Sequence, residues 1–196
     1  MRTRRTELTR KTNETEISLV LDLDGTGRVK IGTGLGFLDH MLHALGKHGG
    51  FDLSLTCRGD VEIDDHHTVE DCAIVLGQAF DEALGDRAGV ARFGDAFVAM
   101  DEALARAVVD LSGRGLACVD LGLRRERLGS VACENLTHFI QTLARESRST
   151  VHVDLLKGEN DHHRAEAAFK SLALALRQAV SRGDTEVVPS TKGVLA

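Results

Sequence analysis

Tryptophan and tyrosine are absent from the 196 residues, proline occurs once and phenylalanine seven times. With so few aromatic side chains there is no platform on which nucleic-acid bases could stack. A net charge of −6 also removes the basic surface that a phosphate backbone demands. No apolar run approaches the length that spans a bilayer. The Arg-rich first five residues lack an apolar stretch after them and do not read as a signal peptide. The four cysteines, Cys57, Cys72, Cys118 and Cys133, show no Cys-x-x-Cys spacing. They read as small core fillers in a reducing, cytoplasmic setting. The hydrophobic fraction is ordinary, and the chain is long enough for one domain or two small fused repeats.

Against these absences stands a patterned set of histidines. Asp65-His66-His67-Thr68-Val69-Glu70 and Asp161-His162-His163-Arg164-Ala165-Glu166 both read D-H-H-x-x-E at the start of a predicted helix. Residues three and four apart share a helix face, so Glu70 projects between His66 and His67, and Glu166 between His162 and His163. The two histidines of a pair diverge by about 100°, too far to grip one ion comfortably, so each pair suits two ions. A solitary histidine precedes each motif: His40 lies 26 residues before His66, and His138 lies 24 before His162. Six imidazoles and two carboxylates in matched sets supply two metal ions with three imidazoles and one carboxylate each.

The rest of the chain repeats in two halves, 1–90 and 91–183, followed by a tail, 184–196. Residues 2–13 are polar and extended. Ile17, Leu19, Leu21 and Leu23 alternate as a strand, Asp24-Gly25-Thr26-Gly27 reads as a hairpin turn, and Val29 to Thr33 as its return strand. The glycines at 32, 34 and 36 read as a tight strand-to-helix corner, since neither Walker nor dinucleotide spacing is met. A helix over 37–47 carries His40 and His43, a strand follows at 51–57, Asp65 is placed to cap, and a helix runs over 66–84. In the second half 104–111 and 116–121 read as a hairpin, 123–133 as an irregular link, 134–146 as a helix, 151–155 as a strand and 162–181 as a helix. The segment 85–95 reads as the link between halves. The expectation is an α/β chain of the α+β type. A strand-strand-helix-strand-helix half is duplicated, and the sheets carry helices on one face.

Histidine-rich sites with a carboxylate suit Zn, Mn, Fe, Co or Ni. Open coordination positions point to catalysis rather than to a closed structural site. Two other readings stay open: a dinuclear hydrolase acting on a phosphate ester, and metals that merely staple subunits. Whether one chain assembles both ions or two chains share them is not visible in the spacing. Taken alone, Glu14, Arg92 and Arg114 read as solvated surface residues, His43 and His152 as structural or solvated, and Lys170 as a snorkelling edge residue able to reach the metal face.

The stretch Thr33-Gly34-Leu35-Gly36-Phe37-Leu38-Asp39-His40-Met41-Leu42, the two D-H-H-x-x-E motifs, the opening Arg10-x-Thr12-x-Glu14-Thr15 and the closing Ser190-Thr191-Lys192-Gly193 resemble the imidazoleglycerol-phosphate dehydratase family. The resemblance covers nearly the whole chain. It implies a ribosomal S5 domain 2-like duplicated fold and removal of water from D-erythro-imidazole-glycerol phosphate, giving imidazole-acetol phosphate in histidine biosynthesis. It implies two Mn²⁺ per active site and a homo-oligomer of twenty-four subunits with active sites at their contacts. The metal ligands it implies are His40, His66, His67, Glu70, His138, His162, His163 and Glu166. Glu14 would be the acid/base, with His66, Glu70 and Glu166 also in the reacting centre. Arg92, Arg114, His48, Ser190, Thr191 and Lys192 would hold the phosphate, and the tail would complete that site. Lys170, His40 and His162 would face the substrate. One departure is that His43-Ala44 stand where many members carry Asp-Gln. The single-function form is expected, with no phosphatase-like domain ahead of it. Two cations spaced for one five-membered ring would let the substrate imidazole ionise to imidazolate and expel the neighbouring hydroxyl. A carboxylate such as Glu14 would then remove the adjacent C–H proton.

Overall fold

The computed structural model describes residues 3–183 and 187–195. The expected tail therefore falls partly outside the described residues, at 184–186 and 196. Two four-stranded sheets face a shared layer of four helices. The first half gives β1 (Arg5–Lys11), β2 (Thr15–Asp22), β3 (Val29–Gly32), α1 (Gly36–Gly49), β4 (Asp52–Gly59) and α2 (His66–Leu84). The second gives β5 (Phe93–Met100), β6 (Ala103–Asp110), β7 (Leu116–Asp120), the short β8 (Arg127–Leu128) and β9 (Val131–Ala132), α3 (Cys133–Glu146), β10 (Thr150–Lys157) and α4 (Asp161–Ala179).

The duplicated α/β class holds, but each four-stranded sheet has one strand more than the sequence pattern suggests. β1 was expected only as an extended segment. Its inward face is carried by threonine and leucine rather than a run of large apolar residues, because it is an edge strand with one face in water. β5, of which only residues 93–95 fall in the expected link, turns Gly94 and Ala96 inward and leaves Phe93 and Phe97 exposed. A Cβ on Gly94 would lie 2.0 Å from the Ala175 carbonyl oxygen, so strand and helix touch backbone to backbone there.

Neither expected hairpin forms. The sheet orders are β1-β2-β4-β3 and β5-β6-β10-β7. β4 pairs antiparallel with β2 and parallel with β3, and β10 does the same with β6 and β7. The Asp24–Gly27 segment is therefore a crossing loop, pinned where the Asp52 carboxylate accepts from the Thr26 and Arg28 amides at 2.7 and 3.0 Å. A parallel neighbour needs a crossover, and α1 and α3 supply it. The expected irregular link at 123–133 contains the β8–β9 hairpin, which buries Leu128 and Val131. It has no counterpart in the first half and moves the repeat offset from 88 residues at β1/β5 to 96 at the D-H-H-x-x-E motifs of α2/α4.

The helices pair across the halves: α1 packs on α4, and α2 on α3. Leu38, Met41, Leu42 and Leu45 form the buried stripe of α1, and Leu136, Phe139, Ile140 and Leu143 that of α3. Each such side chain contributes roughly 1.5–3 kcal/mol through burial. All four cysteines are free; Cys72 and Cys133 are buried, but Cys118 lies exposed on β7 and is not a core filler.

Candidate active site

The motif helices begin with the same device. The Asp64 and Asn160 side chains accept the His66 and His162 amides, each at 2.9 Å, as helix caps do. The expected cap at Asp65 is not made. Its buried carboxylate instead accepts from the Ala132 amide at 2.8 Å and the Asn135 amide group at 2.9 Å, joining α2 to the start of α3. Asp161 accepts from the Arg124 and Arg125 amides and pairs with Arg164. Burial pushes the Asp161 carboxyl up, but those donors outweigh it and hold it below the usual range. At the head of α1, Asp39 accepts from the Thr33 amide and hydroxyl at 2.8 and 2.6 Å, which fixes the corner that precedes His40.

Cross-half packing exchanges the solitary histidines. His40 joins His162 and Glu166, while His138 joins His66 and Glu70. Within each group the candidate ligand atoms lie within 4.8 Å of one another. In the first group the His40 and His162 Nε2 atoms are 3.4 and 3.3 Å from Glu166 Oε2. Lys170 reaches the other oxygen of Glu166 at 2.7 Å. Burial raises the Glu166 pKa, and Lys170 and His40 together more than reverse that. Phe37 packs edge-on against His162, with ring centroids 5.2 Å apart. In the second group His138 Nε2 is 2.9 Å from Glu70, and the His66 and His138 rings stack at 5.0 Å. Asn135 Oδ1 lies 3.1 Å from His66 Nδ1. Its amide nitrogen is spent on Asp65, so the oxygen faces the ring and Nδ1 donates to it, which leaves His66 Nε2 as the free base.

His67 and His163 stand outside both groups. His67 Nδ1 is 3.1 Å from Asp60, and His67 Nε2 is 3.6 Å from Glu14. His163 Nδ1 is 2.7 Å from Glu102, and His163 Nε2 is 3.6 Å from Asp101. The hydrogen bonds that the two rings donate to Asp60 and Glu102 raise the imidazole pKa values. The Glu159 and Asn160 amides and His163 bring Glu102 down to about 2, with Asn160 the largest contributor. Glu14 sits on the β1–β2 turn, where Thr12 Oγ1 accepts the Glu14 and Thr15 amides at 3.1 and 3.0 Å. Asp71, buried on α2 beside Glu70, clamps both strands through Arg10 at 3.0 Å and Thr15 at 2.5 Å. Asp60, Asp71, Glu102 and Asn135 were not singled out from the sequence. Only Glu102 left a signal there, since the 88-residue offset sets it opposite Glu14.

The candidate phosphate residues gather elsewhere. Arg92 pairs with Asp110 at 2.8 Å, donates to the Pro189 carbonyl at 2.8 Å and lies over the Phe93 ring. That links it to the tail carrying Ser190, Thr191 and Lys192. Arg114, exposed, follows Ser112, whose hydroxyl is 3.1 Å from Thr150 at the start of β10. The Arg92 amide donates to the Ala179 carbonyl at the far end of α4. Seventeen residues of helix separate Ala179 from His162, about 25 Å at 1.5 Å per residue. His48 lies on α1 towards Lys170; burial, then that ammonium, lowers its pKa. His43 and His152 are exposed.

Residues 33–176 match the family model described as imidazoleglycerol-phosphate dehydratase. The chain belongs to the imidazoleglycerol-phosphate dehydratase family. It is 54% identical over 205 residues to the imidazoleglycerol-phosphate dehydratase of Candida glabrata, covering 95% of this chain and 98% of that one. It is 60% identical over 167 residues to the Saccharomyces cerevisiae enzyme of the same name, covering 85% and 76%. Against the Phytophthora nicotianae protein of that name it is 58% identical over 193 residues, 98% of this chain but 43% of the longer relative. The crystal structure of the Staphylococcus aureus dehydratase superimposes with a TM-score of 0.81 at 35% identity, covering 91% of this chain and 99% of that one. That of Pyrococcus furiosus, in complex with (S)-C348, gives 0.82 at 39%, covering 96% and 100%.

Proposed function

We propose that the chain carries out the family's dehydration, a step of histidine biosynthesis, with two divalent ions, manganese in the cell. It acts in the cytoplasm as a homo-oligomer of twenty-four subunits that share active sites. The observation that carries the reading is the pair of His-His-Glu groups, each assembled from both halves. Imidazole nitrogens with one carboxylate oxygen suit a borderline divalent ion, so the residues present fit the metal. When bound, the two ions would supply positive charge to the substrate ring and ease its loss of a proton.

The chain's own residues do the rest. His40, His162 and Glu166 hold one ion, and His66, His138 and Glu70 hold the other. His67 and His163, turned away from these sets, serve ions in neighbouring subunits. Glu14 accepts the proton from the carbon next to the ring side chain's leaving hydroxyl. Lys170 keeps Glu166 anionic and faces the substrate. Arg92, Arg114, Ser190, Thr191, Lys192 and His48 bind the phosphate. The length of α4 between His162 and Ala179, to which the Arg92 amide is bonded, is about 25 Å and exceeds the length of a small phosphorylated triol, which supports a site built from more than one subunit.

The test is incubation of the manganese-loaded assembly with imidazole-glycerol phosphate while ketone and inorganic phosphate are measured together. Ketone without phosphate release is expected, lost on chelation and restored by manganese. Phosphate release without ketone would replace this reading with a metallohydrolase.

A further inference from the structure

We propose that Asp60 and Glu102 are positioning residues: each holds the second histidine of its motif with Nδ1 protonated, so that Nε2 is the atom offered to a divalent ion. The inference rests on the metal reading above. An ionised carboxylate only accepts, so an imidazole nitrogen at 3.1 Å from Asp60 or 2.7 Å from Glu102 has to donate. The remaining nitrogen of His67 and of His163 then carries the lone pair. Outer carboxylates that fix a ligand's tautomer and ring plane are how proteins aim histidine at metals.

An inherited copy does not explain the arrangement. Asp60 is the first residue after β4, whereas the first residue after β10 is Gly158. Glu102 lies in the β5–β6 turn, where the first half has Glu14 instead, beside Nε2 of His67 rather than Nδ1. Two positions that are not duplicates of each other have arrived at one geometry on two histidines that are. Glu102 is also fixed itself: its other oxygen accepts the Glu159 and Asn160 amides at 3.1 and 2.8 Å.

Glu102→Gln discriminates. The amide oxygen can keep the two backbone donors, and the NH₂ then faces His163 Nδ1. That nitrogen has to accept, which moves the ring proton to Nε2. Metal-free assembly is titrated with Mn²⁺, free ion being read by electron paramagnetic resonance, and the metal-free unfolding temperature is recorded alongside. In E102Q one class of ion should bind about 10–100-fold more weakly, with the other class and the unfolding temperature unchanged. Asp60→Ala should weaken binding similarly. Parent-like manganese affinity in both variants overturns the proposal, whether or not unfolding shifts. A parent protein that takes up no manganese would overturn the metal reading as well.

Discussion

Among the side chains near the histidines, Glu14 differs from its neighbours in being nearly uncommitted. It is half exposed, and its nearest charged partner is a histidine nitrogen 3.6 Å away. Glu102, at the equivalent position of the second repeat, is bound on both oxygens. A group that exchanges protons needs an oxygen to spare; one that orients a ring does not. Glu14→Gln should lower kcat by about 10²–10⁴-fold while manganese content stays at the parent level, measured by steady-state kinetics and elemental analysis of the same preparation. Unchanged turnover would remove Glu14 from the reaction. The D-H-H-x-x-E repeats were legible in sequence because helix periodicity alone determines which side chains share a face. The outer partners were not. Asp60, Asp71 and Asn135 act across gaps of 7, 56 and 69 residues, set by tertiary packing, which no local period encodes.

At the level of elements, all four long helices fall within a few residues of their expected positions, because each has a continuous apolar stripe. The strands fared less well. Consecutive strands alternate as the arms of a hairpin do, yet in both halves a later strand inserts between them. Alternation reveals that a segment is a strand, but not which neighbour it takes, when the return comes through a helix. β5 was concealed for another reason. Its inward residues are small where α4 comes close, and its two phenylalanines point outwards. Gly94→Val should therefore destabilise by about 1–3 kcal/mol or more, since the new side chain meets backbone on α4. Gly32→Ala, with nothing within 4 Å of its Cβ, should stay within about 0.5 kcal/mol. Thermal unfolding of the two variants beside the parent checks this contrast.

For the whole molecule, sequence spacing sets a solitary histidine ahead of the motif in each half without saying which motif it joins. Packing of α1 on α4 and α2 on α3 exchanges them. The His40–His162–Glu166 group lies near the beginning of α4, and Arg92 with the tail near its end. If one catalytic site draws on both ends, it draws on two chains. Lys192→Ala and His162→Ala assemblies should each be nearly inactive. Subunits mixed by dissociation and reassembly should recover a fraction of parent turnover, since some sites then receive an intact contribution from each chain. Absence of recovery would place both residue sets in the site of one subunit.

The crossed pairing of helices has a consequence for dissection. A cut between residues 90 and 91 would part His40 from His162 and Glu166, and His138 from His66 and Glu70, so neither piece could build a complete donor set. The two fragments would regain both sets only by docking, in the same event that closes the apolar seam beneath them. An ion seated across that seam would act as a latch, and its departure would be felt along the whole boundary between the repeats.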